Sequence, residues 1–417
     1  MTQAFYTGLS GLKASSEAIN IITDNLANTS TVGFRGYNTE FSNMFETALN
    51  TTSGGSPVNS SIGVGTDIRA IVMDQSQGVL QNSEKSTDLA ILGDGWFGVQ
   101  SREQNYYTRN GNFTFDANRD LVAEDGAFVL GTMGTNIANG VLTNQLFEIP
   151  LTDVKAQEKL SFPKELYFPP TATDEAIFSG NLNLTNDVTA VSAPVITADG
   201  TLNSLRLEFT KVDPVVPPGV QWNVVATTQN RDGSVIYDTQ NGVVSFSENG
   251  ALISNTLTSI NNDGSSISIN LGTGFDGVIS IDAQDSLVSS ANGFEEGDLL
   301  GYDINKNGEV IATFTNGRQS DVGKIALFHF QNDQGLERVN GSRFLASKNS
   351  GDPIFFKDAN GNNINATDLI NGQLEGSNVR LEVGLTDLII MQRAYDSSSK
   401  LITTADQMLQ KALSMDA

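Results

Sequence analysis

Both ends of this chain carry the same apolar periodicity, and that repetition limits the folds open to it. After Phe5, the residues Leu9, Leu12, Ile19, Ile22 and Leu26 follow at spacings of three and four, with Ser16 filling one step, so they share one helical face. Leu381, Leu385, Leu388, Tyr395, Ile402, Leu409 and Leu413 do the same at the far end, interrupted by Gln392, Ser399 and Asp406. Each end reads as an amphipathic helix of about 25 to 35 residues, about 40 to 50 Å long. Two such helices could dock separately as ordinary surface helices, or could meet if the chain folds back on itself. The polar gaps in both seams suit reversible assembly better than a permanent core.

Between the ends, turn signals dominate. Ten Asn-Gly and six Asp-Gly dipeptides, among them Asn110-Gly111, Asp125-Gly126 and Asn316-Gly317, punctuate alternating stretches such as 204–209 and 266–271. The expected fold is multidomain α+β: N- and C-terminal helices paired as an α-helical coiled coil, with antiparallel β domains between them. At 417 residues the chain is too long for one ordinary core. Thr51 to Pro57 reads as a flexible joint and Asp213 to Gly219 as a loop within a β domain, while composition shifts near 146–150 and 286–293. The expected division is a helix at 1–30, a linker segment at 31–70, a split β domain from 71–145 and 286–365, an inserted outer β domain at 146–285, and a closing helix at 366–417.

Chemistry-bearing patterns are sparse. The absence of cysteine removes disulfides, Cys-based zinc sites and thiol nucleophiles together. A net charge of −24 repels phosphate backbones and anionic bilayers, so nucleic acid and membrane insertion are not expected. His329, the single histidine, alternates with apolar neighbours and reads as a packing or surface residue on a strand. Asp303 to Gly308 copies the first half of an EF-hand loop, but Phe314 stands where a bidentate Glu belongs, so a turn between strands fits better. Gly93, Gly95 and Gly98 begin a Gly-x-Gly pattern with no helix after it. No catalytic residue, cofactor or metal is expected, although counting carboxylates does not exclude a two-carboxylate glycosidase.

The segment Asn25-Leu26-Ala27-Asn28-Thr29-Ser30-Thr31-Val32-Gly33-Phe34-Arg35 ends a helix with Asn-rich capping chemistry and turns extended. It also resembles the N-L-A-N-x-x-T-x-G-[FY]-[KR] signature of the flagellar rod and hook family. Gln392, Arg393, Ala394 and Tyr395, within 378–409, are similar to that family's closing helix. The stretches 88–99, 107–113 and 121–122 resemble its shared β domain, with Asp120 standing where relatives carry Gly. The stretch 301–317, together with 325–327 and Gly335-Leu336, resembles the hook branch more than the shorter rod branch.

The resemblance implies a subunit that polymerises into a curved tube, a universal joint carrying torque, extracellular on the bacterial flagellum. The implied partners are further copies of itself, distal rod, hook cap and hook–filament junction proteins, and the flagellar type III export apparatus. Phe41 and Phe45 match a short pattern associated with that export gate. Two other readings stay open at this point: a distal rod protein, and a secreted β-rich carbohydrate-binding protein or hydrolase with helical ends.

Overall fold

The computed structural model describes residues 2–46, 62–213, 219–340 and 342–415, with backbone alone at 2, 3, 45, 46, 62–64, 412, 413 and 415. The joint expected at 51–57 and the loop interior at 214–218 lie outside the described residues, as do the side chains of Phe45 and Leu413. The structure is mostly β, with one helix at each end: α1 (Thr2–Ala27) and α2 (Leu381–Met415). Beyond Gly384, α2 runs to its end with neither Gly nor Pro, which leaves nothing in its sequence to break it.

The two helices lie antiparallel and close. A methyl group built on Gly8 would sit 2.9 Å from Ile402 Cγ1, one on Gly11 would meet Ser398 Oγ at 2.9 Å, and one on Gly384 would meet Leu26 Cδ2 at 2.8 Å. Small residues make this approach possible. The buried positions of α1 are Gly8, Ala14, Ser15 and Ala18, whereas Phe5, Leu9, Leu12, Ile19, Ile22 and Leu26 are half-buried. The reason is that α1 is enclosed on two sides. A two-stranded ribbon, β1 (Tyr37–Glu46) against β2 (Ile62–Met73), pairs from Tyr37↔Met73 to Glu46↔Ile62, and Gly65 of this ribbon abuts Ser10.

The inner β region weaves two distant parts of the chain into one sheet. Strand 319–325 pairs with 128–133, strand 327–328 with 96–101, strand 343–345 with 104–108, and strand 297–304 with 167–168. Its core holds Leu89, Phe97, Phe113, Phe314, Val322 and Ile325, with a second cluster around Trp96, Tyr107, Phe328 and Phe344. Burying each of these aromatic side chains is worth about 2 to 3 kcal/mol, so neither sequence half has a core without the other.

A separate core occupies residues 176–278. A five-stranded antiparallel meander from Val188 to Asn255 packs Leu205, Phe209, Trp222 and Val224 against Phe178, Ile267 and Val278 of a six-stranded sheet. Trp222 Nε1 donates to Ser280 Oγ at 3.1 Å, so the indole is satisfied inside the core. A single β-bridge stands at the neck: Thr171 and Phe294 exchange backbone hydrogen bonds of 3.0 and 3.1 Å.

Not all of the pairing is antiparallel. Strand 175–181 runs parallel to 265–270 and to 276–279, because the meander between them is long enough to return the chain in either direction. The turn before Leu121 also departs from expectation. Its left-handed residue is Arg119, at φ +67°, while Asp120 is buried with Lys159 3.9 Å away.

Candidate functional site at the junction of the chain ends and the sheet

The signature segment turns where α1, α2, the ribbon and the inner sheet converge. α1 ends as Asn28 N–H donates to the Asn25 carbonyl at 3.1 Å and Asn28 Nδ2 to the Asp24 carbonyl at 2.8 Å, and Thr31 Oγ1 then donates to Asn28 Oδ1 at 3.1 Å. Gly33 follows at φ +67°, pressed so closely on the backbone of Asn110 that a side chain has no room. Leu26 is half-buried and Ala27 exposed at this helix end.

Three side-chain amides hold the root of the ribbon. Asn25 Nδ2 donates to the Tyr37 carbonyl at 2.7 Å while its Oδ1 accepts from Tyr37 N–H at 3.0 Å. Asn378, just before α2, accepts from Gly36 N–H at 2.8 Å and donates to the carbonyls of Asp74 and Ser76 at 2.8 and 3.0 Å. Gln334, from the inner β region, accepts from Met73 N–H at 2.8 Å and donates back to its carbonyl at 2.7 Å. Each amide copies a backbone donor and acceptor, so ribbon pairing continues past its last residue through side chains.

Beneath them lies a buried charge cluster. Glu375, 1 % exposed, takes Arg35 Nη2 at 2.9 Å and Arg109 Nη1 at 3.4 Å, and also accepts from Gly78 N–H at 2.9 Å. Arg35 donates further to the Ser76 carbonyl, and Arg109 lies over the Trp96 ring at 5.4 Å. Burial pulls the Arg109 guanidinium well below its ordinary value, to about 10, the neighbouring Arg35 charge adds to this, and Glu375 opposes it. Phe34 is buried beside this cluster, with the Arg338 guanidinium 4.8 Å from its ring and Arg338 Nη1 bonded to Asp24 Oδ2 at 2.8 Å. The arrangement joins three segments far apart in sequence, with two guanidinium groups sharing one carboxylate. It is built to fix an angle rather than to move a proton.

The remaining predicted positions fall into two groups. Leu388, Ile402 and Leu409 are half-buried on α2, as is Ala394, while Leu381, Leu385, Gln392, Arg393 and Tyr395 are exposed in the single chain. Phe41 lies on β1, 42 % exposed, beside a groove of about 450 Å³ between the ribbon and the helix ends. His329 is 5 % exposed, edge-to-face on Phe356, and burial pushes its imidazole down to about 4, so it is neutral at pH 7. Asp303 to Gly308 is the turn between strands 297–304 and 309–314. Among the described residues, no group of three or more His, Cys, Asp or Glu side chains could hold a metal ion, and no helix is long and apolar enough to cross a membrane.

Arg35, Arg109 and Asn378 stand in the sequence as motif letters without a role, and nothing there marks Glu375 or Gln334. A usable signal existed in Arg35 and Arg109, cations next to Phe34 and Thr108 in stretches that otherwise read as buried.

The chain matches three families by sequence: "Flagella basal body rod protein" over residues 5–35, "Flagellar hook protein FlgE/F/G D1 domain" over 90–202, and "Flagellar basal body rod FlgEFG protein C-terminal" over 370–415. It is 30% identical to the flagellar hook protein FlgE of Brucella suis, with 97% of this chain and 96% of that protein covered. It is 27% identical to that of Salmonella typhimurium, covering 97% and 98%, and 25% identical to that of Borreliella burgdorferi, covering 99% of each. In fold it is similar to the crystal structure of Helicobacter pylori flagellar hook protein FlgE2, at a TM-score of 0.54 and 15% identity over 71% of this chain and all of that one.

Proposed function

Because the chain belongs to the flagellar hook protein FlgE family, we infer that it works as the structural subunit of the bacterial hook, polymerising into the tubular joint that passes motor torque to the filament. It is a component of the extracellular flagellum. The observation that carries this reading is that hook proteins align with the chain from end to end, through the outer β core as well as the family segments. That span favours the hook over a shorter rod protein. Membership of a structural family also disfavours the hydrolase reading.

Within this reading, α1 and α2 pair as a coiled coil lining the tube, the linker segment at 31–70 leads outward, 71–145 with 286–365 forms the wall, and 146–285 faces solvent. The close approach at Gly8, Gly11 and Gly384 supports the pairing. The assembly seam is then shared. Phe5, Leu9, Leu12, Leu388, Ile402 and Leu409 pack within one subunit's helix pair, while Leu381, Leu385 and Tyr395 are left for neighbouring copies in a heterologous contact that builds a helical polymer. Distal rod, hook cap and junction proteins meet the two ends of that polymer, and the export apparatus engages Phe41 and Phe45 before folding.

Electron micrographs of purified protein and of sheared appendages test this directly. Tubes support it, and a strictly monomeric protein absent from hooks overturns it. A variant lacking 150–284 should still form tubes, since the helices and wall carry the primary contacts; a folded remainder unable to polymerise would move the assembly surface to the outer core.

A further inference from the structure

One largely buried cluster lies outside the junction. Lys324 and Glu309 face each other directly across strands 319–325 and 309–314. Lys324 Nζ contacts Glu309 Oε1 at 3.4 Å, and their side chains are only 14% and 4% exposed. The other carboxylate oxygen, Oε2, accepts from Asn305 Nδ2 at 2.9 Å. Asn305 Oδ1 in turn accepts two backbone N–H groups, from Asn307 and Glu309, each at 2.9 Å. Ile304, Val310 and Ile325 around the cluster are buried.

These are the side chains that an amide exchange uses. An amine and a carboxamide share one carboxylate able to carry a proton between them, and the carboxamide oxygen already sits between two fixed N–H donors, where negative charge would develop. We propose that Lys324 and Asn305 are a site of self-catalysed isopeptide formation, with Glu309 as the proton carrier.

The step balances without any co-reactant. Lys324 Nζ passes a proton to Glu309 Oε1, and the neutral amine attacks Asn305 Cγ. The electron pair moves onto Oδ1, held by the Asn307 and Glu309 N–H groups. Glu309 delivers its proton to Nδ2, the Cγ–Nδ2 bond breaks as the carbonyl re-forms, and the nitrogen leaves as ammonia, which takes up the remaining proton from Nζ as ammonium. The product is a secondary amide between Nζ and Cγ, with nothing oxidised or reduced. It closes the open end of the hairpin formed by 309–314 and 319–325, so tension entering at 305 and leaving at 324 bypasses the hydrogen-bonded ladder between them.

Intact-mass measurement of the full chain under denaturing conditions decides the matter, because folding of a variant is then irrelevant to the readout. The wild type, from purified subunits or native hooks, should be lighter than its sequence by one ammonia, about 17 Da. Trypsin should fail to cut after Lys324, and fragment spectra should join a peptide holding Asn305 to one holding Lys324. Glu309→Gln and Lys324→Met should both restore the full sequence mass. A wild type at full mass in both subunits and hooks overturns the proposal. So does a loss of water mapping to Lys324 and Asp321, the nearby carboxylate that competes for the same amine.

Discussion

Replacing Glu375 with Gln should loosen the junction while leaving both β cores folded. At an effective dielectric of about 20, the contacts at 2.9 and 3.4 Å correspond to gross attractions of about 6 and about 5 kcal/mol. Desolvation and the mutual repulsion of Arg35 and Arg109 offset most of this, so the intact cluster adds little net stability. Its removal is another matter, because two buried guanidinium groups then face a neutral amide, at a cost of about 3 to 5 kcal/mol. Gln keeps the shape and can still accept from Gly78 N–H, so the loss reports charge alone. Trp96 lies under Arg109 and is one of two tryptophans, the other being Trp222 in the outer core. In a Trp222→Phe background, urea unfolding followed by fluorescence therefore reads the junction. The midpoint should fall with an unchanged slope. The combination Arg35→Met, Glu375→Leu and Arg109→Met should recover most of the loss, since no charge is then stranded. A loss under about 1 kcal/mol for Glu375→Gln, or a triple variant as damaged as the single one, would refute this reasoning.

Leu388→Asp or Leu409→Asp should give soluble monomers whose β cores melt as in the wild type but which form no tubes in micrographs, whereas Ser399→Asp should be tolerated better; normal assembly of both Leu variants would remove α2 from the seam. Arg119→Gly should stabilise the inner core by about 1 kcal/mol in thermal unfolding, because an L-residue held left-handed is costly and Gly is not. Asp321 has its carboxyl raised from 3.8 to about 6 by burial, with Glu309 adding to the effect. The folded chain therefore holds this proton more tightly than the unfolded one between those values. Stability should fall as pH rises through that window and level off above it, and in Asp321→Asn this component of the slope should vanish in urea titrations at pH 4, 5, 6 and 7.

The end helices and the β interior were legible because each follows a single local period, and turn dipeptides such as Asn316-Gly317 mark where strands reverse. The helix face was only partly legible. Periodicity finds large apolar residues, and here the closest approach is at Gly8, Gly11 and Gly384 and full burial falls on Ala18, which carry no hydropathy signal of that kind. Parallel pairing of 175–181 was hidden for a related reason: strand direction is set by where a long connection returns, not by the strand's own residues. The junction was the least legible part. Glu375 acquires its role from Arg35 and Arg109, which lie hundreds of positions earlier in the chain, and an isolated Glu in a polar stretch looks like any surface acid. Around the stretch expected as a linker at 31–70, residues 37–46 pair with 62–73 as a ribbon, a register that neither strand's own residues announce.

The three amides at the ribbon's root bear on the surroundings in which an external appendage must work. Salt screens exposed charges within about 8 Å at physiological ionic strength, and acid neutralises carboxylates, so contacts made of surface ions soften as a medium changes. Asn25, Gln334 and Asn378 have no charge to screen and no proton to gain, and the ions beneath them are sealed from water. With 48 acidic residues against 24 basic ones, the outer surfaces of such a chain will respond to brine or dilution. At the elbow between helix and sheet the half-exposed Arg338–Asp24 pair can answer in the same way, while the amides and the sealed ions cannot. Seawater, soil water and a dilute pond should therefore all find it set at nearly the same angle.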